Sequence, residues 1–176
     1  METTKNKMTN NETVFFDKIS ASLETPLYFF GSIQRLDYVS KSSDIDVDIF
    51  TFNQKSMMSK MCSLLNVDMS SFKRFVYKPE DSHLVIPGYK VFYRDPNNDF
   101  DVEFSIYDEK YKDIILTDRK RKFILPFYLL YPLVILKFLH YQLHLFPRRM
   151  FITIKTFLIS YVDNNRGYVM IDFKRP

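Results

Sequence analysis

Two short stretches of this 176-residue chain carry side chains whose types and spacing suit chemistry: Phe30-Gly31-Ser32, and the run Asp44-Ile45-Asp46-Val47-Asp48 a dozen positions after the serine. Residues two apart in a strand point to the same face, so Asp44 and Asp46 can hold one cation between them. A glycine directly after a strand lets backbone approach a phosphate closely, and a serine at the start of a helical turn adds donors. Only three glycines occur in the chain, which makes Gly31 the more informative. A phosphate cradle beside paired carboxylates describes a site for a metal-bound nucleoside triphosphate. A second run, Phe100-Asp101-Val102-Glu103-Phe104, repeats the apolar-acid alternation and puts Asp101 and Glu103 on one face.

Other chemistries fit less well. A calcium loop starting at Asp44 needs glycine at its sixth position and glutamate at its twelfth, where this chain has Ile49 and Lys55. Asp48 is therefore read as a structural residue deeper along the strand. Glycosyltransferases also use Asp-x-Asp, but after a larger nucleotide-binding half than precedes Asp44 here. His140 and His144 have the four-residue spacing that binds zinc on a helix. Tyr141 rather than glutamate follows His140, and no third ligand is evident, so a packed helical pair is expected. Arg119-Lys120-Arg121-Lys122 and Arg148-Arg149 read as solvated basic runs, in competition with phosphate contacts.

The elements that must position the acids follow from periodicity and turn residues. Asn10 or Asn11 is expected to cap a helix through about Leu23, with Val14, Phe15, Ile19 and Leu23 as its apolar stripe. Leu27–Phe30 reads as a buried strand, Ser32 to Leu36 as one helical turn, Tyr38–Ser43 as a loop and Asp44–Phe52 as the second strand. Asn53 or Thr51 caps a helix over Gln54–Leu65, whose Met57, Met58, Met61, Cys62 and Leu65 form a core face. Strands are expected at Phe72–Lys78, Tyr89–Arg94 and Asp99–Tyr107. Asp95-Pro96-Asn97-Asn98 makes the last two an antiparallel hairpin, and Gly31, Gly88 and Gly167 are placed at turns. This order suits an α/β (α+β) domain: a mixed, largely antiparallel sheet with helices on one face.

The Gly-Ser and Asp-x-Asp pair, with this spacer, resembles the signature of the DNA polymerase β-like nucleotidyltransferase superfamily. The resemblance implies a nucleotidyltransferase fold and a magnesium- or manganese-dependent transferase. Such an enzyme moves a nucleoside monophosphate from a nucleoside triphosphate, ATP among the candidates, to a hydroxyl acceptor with release of pyrophosphate. It implies catalytic and metal-binding roles for Asp44, Asp46 and Asp101, with Glu103 as the alternate third carboxylate, and nucleotide contacts at Gly31 and Ser32. Relatives often carry Arg-x-Gly after the Gly-Ser pair, where this chain has Arg35-Leu36-Asp37. Acceptors in the family are nucleic acids, proteins or small molecules. A catalytically inactive binding or scaffold relative is the alternative.

Composition sets the remaining bounds. Hydrophobic residues make up 46% of the chain, with 18 Phe and 12 Tyr, which excludes a disordered polymer. The net charge of +4 is compatible with a polyanionic partner without requiring one. The single cysteine, Cys62, excludes an intrachain disulfide and suits a reducing, cytoplasmic compartment. The polar start, Met1–Asn11, lacks a signal-peptide pattern, and richness in Lys, Asn, Ile, Phe and Tyr fits an AT-rich genome such as that of a large DNA virus. Residues 1–122 read as the core and 123–176 as a helical extension packed on it, with Tyr168–Phe173 as a final strand or tail. The apolar block Phe123–Phe146 reads as a buried helical hairpin with a second helix over Met150–Val162. Its proline-free part, Leu133–Phe146, is too short to span a bilayer core of ~30 Å, so a membrane anchor is not expected.

Overall fold

The computed structural model describes residues 4–80, 83–97, 99–160 and 168–170. It is a mixed α/β structure with the elements α1 (Asn10–Leu23), β1 (Tyr28–Phe30), β2 (Ile45–Thr51), α2 (Gln54–Leu65), β3 (Lys73–Tyr77), β4 (Ile86–Arg94), β5 (Asp101–Asp108), α3 (Lys112–Arg121), α4 (Phe127–Tyr141), α5 (Arg148–Ser160) and β6 (Tyr168–Met170). Helix α1 starts one residue earlier than the asparagine caps imply. Thr9 accepts from the Glu12 amide, and Glu12 accepts from the Thr9 amide at 2.7 Å. A Glu or Gln three positions on closes that reciprocal box; Thr9 has Glu12, whereas Asn10 and Asn11 have Thr13 and Val14. Asn53 caps α2, its Oδ1 accepting from the Ser56 amide at 3.0 Å.

The six strands run in the order β1-β2-β5-β4-β3-β6. Only β2 and β5 are parallel, the chain crossing between them through α2, β3 and β4. The neighbouring pairs β1/β2, β5/β4, β4/β3 and β3/β6 are antiparallel, and β4 and β5 form the hairpin expected from Asp95-Pro96-Asn97. One face of the sheet (Phe29, Val47, Ile49, Phe104 and Ile106) is sealed by α1 and α2 through Phe16, Ile19, Met57 and Met61, all buried.

Helices cover both faces, not one. The far end of the second face carries Phe50, Phe75, Tyr77 and Tyr107, and α3 closes over them with Ile115. Aromatics that large need cover, and α3 supplies it although its sequence has little apolar periodicity. Gly88 lies within β4 and not at a turn: a Cβ there would sit 2.9 Å from the Phe75 ring and 3.1 Å from the Ile106 carbonyl oxygen. Close packing of that ring accounts for the glycine.

The C-terminal helices also depart from expectation. Helix α4 begins before Pro132 and runs through it; the proline falls early in the helix, where its missing amide forfeits one backbone bond. The hairpin is only half buried, since Leu129, Leu133 and Leu136 face the protein whereas Phe127, Tyr131 and Phe138 are exposed. His144 lies beyond the helix end with φ of 52°, so it does not share a helical face with His140. His140 instead stacks on Phe151 at 4.2 Å and places Nδ1 2.8 Å from the Phe146 carbonyl oxygen. Cys62 is partly exposed at the edge of the methionine face. Among the described residues no helix is long and apolar enough to cross a membrane. Gly167 and residues 171–173 lie outside the described residues.

One buried ion pair joins α3 to the sheet. Arg119 donates from Nε to Asp48 Oδ2 at 2.9 Å and from Nη2 to Oδ1 at 3.3 Å, and its guanidinium lies 3.6 Å from the centre of the Phe30 ring. Arg119 is thus neither a solvated surface residue nor available to a phosphate. Burial pushes the Asp48 carboxyl above its usual range, and Arg119 opposes that push. Asp48→Ala leaves a buried guanidinium without its bidentate carboxylate and should lower unfolding free energy by ~3–5 kcal/mol. The double variant Asp48→Leu/Arg119→Met should recover most of that loss in urea denaturation.

Candidate active site

The acidic residues meet because of strand register. In the parallel pair, Asp46 stands opposite Glu103 and Ile45 opposite Val102, so Asp44 and Asp101 flank the same end of the two strands. Paired residues of neighbouring strands share a face. Phe30 of β1 is paired with Asp46 on the other side. A row Phe30-Asp46-Glu103-Phe92 therefore crosses the sheet on the face opposite α1 and α2.

Gly31 closes the row from above. Its φ is +73°, a conformation that side chains rarely adopt, and a Cβ there would run into Asp46 Oδ2 and lie 3.0 Å from Asp46 Cγ. Glycine is required twice over, for backbone conformation and for the approach of a carboxylate. Ser32 follows in the short 3₁₀ turn Gly31–Gln34 and is buried beside it. The bend and the first acidic strand are thus brought together as the sequence implied.

The third carboxylate is divided between two positions. Glu103 is the direct neighbour of Asp46 and is held by Lys90 at 2.6 Å. Asp101, the residue preferred on resemblance, is engaged by Arg94 through two hydrogen bonds of 2.9 Å. With these side chains turned to their cations, no three His, Cys, Asp or Glu residues among the described ones stand close enough to hold a metal ion. Their chemistry nonetheless suits a hard divalent cation, because Asp46, Asp44 and Glu103 offer only carboxylate oxygens.

The electrostatics of Asp46 carry the same message. Burial first, then the charges of Glu103 and Asp44, push its carboxyl up from the ordinary 3.8 to about 7, against the pull of Lys155 and Arg119. Burial and like charge together favour the protonated form of this carboxyl. Tyr141 on α4 is pushed up to about 12, by burial and then by Asp44, with Asp101 adding to it and Arg148 opposing. Helices α4 and α5 thus bring Tyr141, Arg148 and Lys155 toward the acids. No local signal marks these residues in the sequence, since each lies some ninety or more positions from Asp46.

A second network ties α4 to the loop before Asp44. Lys137, buried in the helix, donates to the Asp37 carbonyl oxygen at 2.6 Å and to Ser43 Oγ at 3.2 Å, and stands 3.0 Å from Asp37 Oδ2. Arg35 binds the same carboxylate at 2.8 Å. Burial alone would raise the Asp37 carboxyl, but the bonds and charges of Arg35 and Lys137 outweigh it and hold the group below its usual range. Arg35, Asp37 and Lys137 together therefore anchor this loop. Beside it, Lys41, Ser42, Ser43, Arg94 and Asp101 line a polar hollow of about 190 Å³.

No family model matches the chain, and no curated protein matches it in sequence.

The unfolded chain releases the Asp46 proton near pH 3.8, whereas the folded protein holds it until about pH 7. The folded state therefore binds the extra proton between those values. Stability attributable to Asp46 is whole below about pH 4 and lost as pH rises through 7. Thermal unfolding of the metal-free protein should show this fall, on the order of 1–4 kcal/mol, and Asp46→Asn should abolish it. Added Mn²⁺ should raise Tm more at pH 8 than at pH 5, because only the ionised cluster binds it.

Proposed function

We propose that the chain is a nucleotidyltransferase of the polymerase β-like kind, and that Asp46 is its central acid. The observation that carries this reading is the seating of Asp46 between Gly31 and Glu103. Asp44, Asp46 and Glu103, with Asp101 as the alternate third carboxylate, would hold Mg²⁺ or Mn²⁺. When bound, the metal supplies charge neutralisation at the triphosphate and acidifies an acceptor hydroxyl.

The chain's own residues do the rest. The bare Cα of Gly31 admits the Asp46 carboxylate, and the Ser32 hydroxyl in the turn that follows would supply a donor to a phosphate oxygen. Lys41, Arg94, Ser42 and Ser43, around the polar hollow beside Asp44 and Asp101, suit the charge and donor needs of a triphosphate. Glu103, once it turns from Lys90, is positioned to accept the proton of the acceptor hydroxyl. That oxygen forms a bond to the α-phosphorus while the bond to the bridging β-oxygen breaks, and pyrophosphate leaves. Lys155, whose charge already acts on Asp46, balances the negative charge that accumulates. Catalysis in this arrangement is mainly positioning and electrostatics.

A second reading is favoured by one observation: both candidates for the third acid are engaged by cations, Glu103 by Lys90 and Asp101 by Arg94. In a non-catalytic binding module those ion pairs are permanent. Incubation with each of four nucleotides labelled at the α-phosphate, against pooled RNA, DNA and protein, separates the two. The transferase should label one pool in a metal-dependent way, and Asp46→Asn should cut that labelling by ~10²–10³-fold with unfolding still cooperative. Turnover by Asp46→Asn at the wild-type rate would refute the assignment. Metal-dependent nucleotide binding with no labelled acceptor would establish the binding module.

A further inference from the structure

Helix α4 is apolar on two sides, and the described chain covers one. Leu129, Leu133 and Leu136 are buried against the protein. On the other side Phe127, Tyr128, Tyr131, Ile135 and Phe138 are 72%, 61%, 64%, 56% and 52% exposed. At ~100° per residue these five fall within an arc of roughly 100°, with no charged side chain among them. A helix that is apolar all round is normally enclosed on every side. The four aromatics alone present on the order of 500 Å² of apolar surface, as large as the largest patch on a typical monomer.

Charge identifies what covers it. Between residues 119 and 162 the sequence contains eight Lys or Arg and no Asp or Glu. Lys120 and Arg121 lie just before the helix and Arg149 just after it, and all three are exposed. The surface is therefore an apolar strip about 18 Å long with cations beyond its two ends. We infer that this face of α4 docks in the plane of an anionic lipid surface, with Phe127, Ile135 and Phe138 entering the acyl boundary. Tyr128, at the edge of the arc, holds its hydroxyl at headgroup level, and the flanking cations meet lipid phosphates and carboxylates.

Other occupants match the strip less well. A second copy of the chain brings the same acid-free segment, so a two-fold contact along α4 sets cations near cations with no carboxylate to answer them. A single-stranded nucleic acid needs cations spaced along its backbone between stacking rings. Here the cations are at the ends, and aliphatic Ile135 interrupts the rings between Tyr131 and Phe138. Docking in the plane also agrees with a helix too short to span a bilayer. This inference rests on the outer face of α4 alone and does not depend on the chemistry assigned to Asp46.

Co-flotation of the full chain with vesicles tests it directly. Vesicles of phosphatidylcholine with about 30% phosphatidylserine should carry the protein, and phosphatidylcholine alone should bind at least ~10-fold less, with the difference shrinking as salt rises. Phe127→Ser/Tyr131→Ser/Phe138→Ser should abolish flotation, and Lys120→Glu/Arg149→Glu should weaken it ~10-fold. All substituted residues are exposed, so far-ultraviolet circular dichroism should be unchanged. Wild-type protein that stays with the aqueous phase at low salt overturns the inference. So does a dimer that the triple serine variant converts to monomer, or binding to single-stranded RNA that the vesicles fail to displace.

Discussion

Two carboxylates set directly opposite each other on neighbouring strands repel, and this molecule keeps Asp46 and Glu103 in that relation. Strands lie ~4.8 Å apart, too close for water to screen such a pair well. Much of the polar structure on that face answers the resulting excess of negative charge. Arg119 takes Asp48, one pair deeper, Lys90 takes Glu103, Arg94 takes Asp101, and Lys155 acts on Asp46 from α5. Asp46 itself has Lys155 and Arg119 pulling against burial and its acidic neighbours, and its carboxyl is still pushed up to about 7. A fold that needed only stability would place a Thr or Val at one of the two positions, as β-strands ordinarily do.

The parallel pairing of β2 with β5 produces this relation, and the C-terminal helices maintain its surroundings. Lys137 reaches from α4 to Asp37 and Ser43, so the loop that delivers Asp44 is held by a helix nearly a hundred residues away in sequence. Burial drives the Lys137 ammonium below its usual range while Asp37 pulls it back up. That balance keeps the pair charged only while both partners stay in place, which makes the loop sensitive to the seating of α4. Tyr141 and Lys155 feel the acids through the same packing. Movement of α4 and α5 would thus alter the acid cluster without touching the strands that carry it.

Much of this was legible in the residues. Gln54–Leu65 could be bounded because Asn53 caps and the methionines fall at helical spacing. The β4/β5 hairpin followed from its turn, and the Gly31 bend and the acidic strand β2 could be placed side by side. What could not be read was set by distance along the chain. The Asp48–Arg119 pair joins residues 71 positions apart, and the choice between Asp101 and Glu103 depends on a strand register that no local pattern fixes. Pro87-Gly88 carries an ordinary turn signal, yet the pair lies in β4 because the Phe75 ring across the sheet leaves no room for a side chain at Gly88. Helix α3 escaped notice because its apolar residues are few and adjacent, Ile114, Ile115 and Leu116. Its position is dictated by the aromatic end of the sheet.

The C-terminal helices look both ways, and their composition explains how. A segment without a single acid can send Lys137 inward to Asp37 and Lys155 toward Asp46, while Lys120 and Arg149 point their charge outward. Its apolar residues are divided in the same manner, Leu133 and Leu136 toward the protein and Phe127 and Phe138 away from it. An aspartate on either side would serve one role at the expense of the other: facing inward it would add to a cluster already crowded with negative charge, and facing outward it would oppose an anionic surface. The absence of acidic residues from 119 to 162 is therefore the composition expected of a segment that neutralises carboxylates on one side and meets anionic lipid on the other.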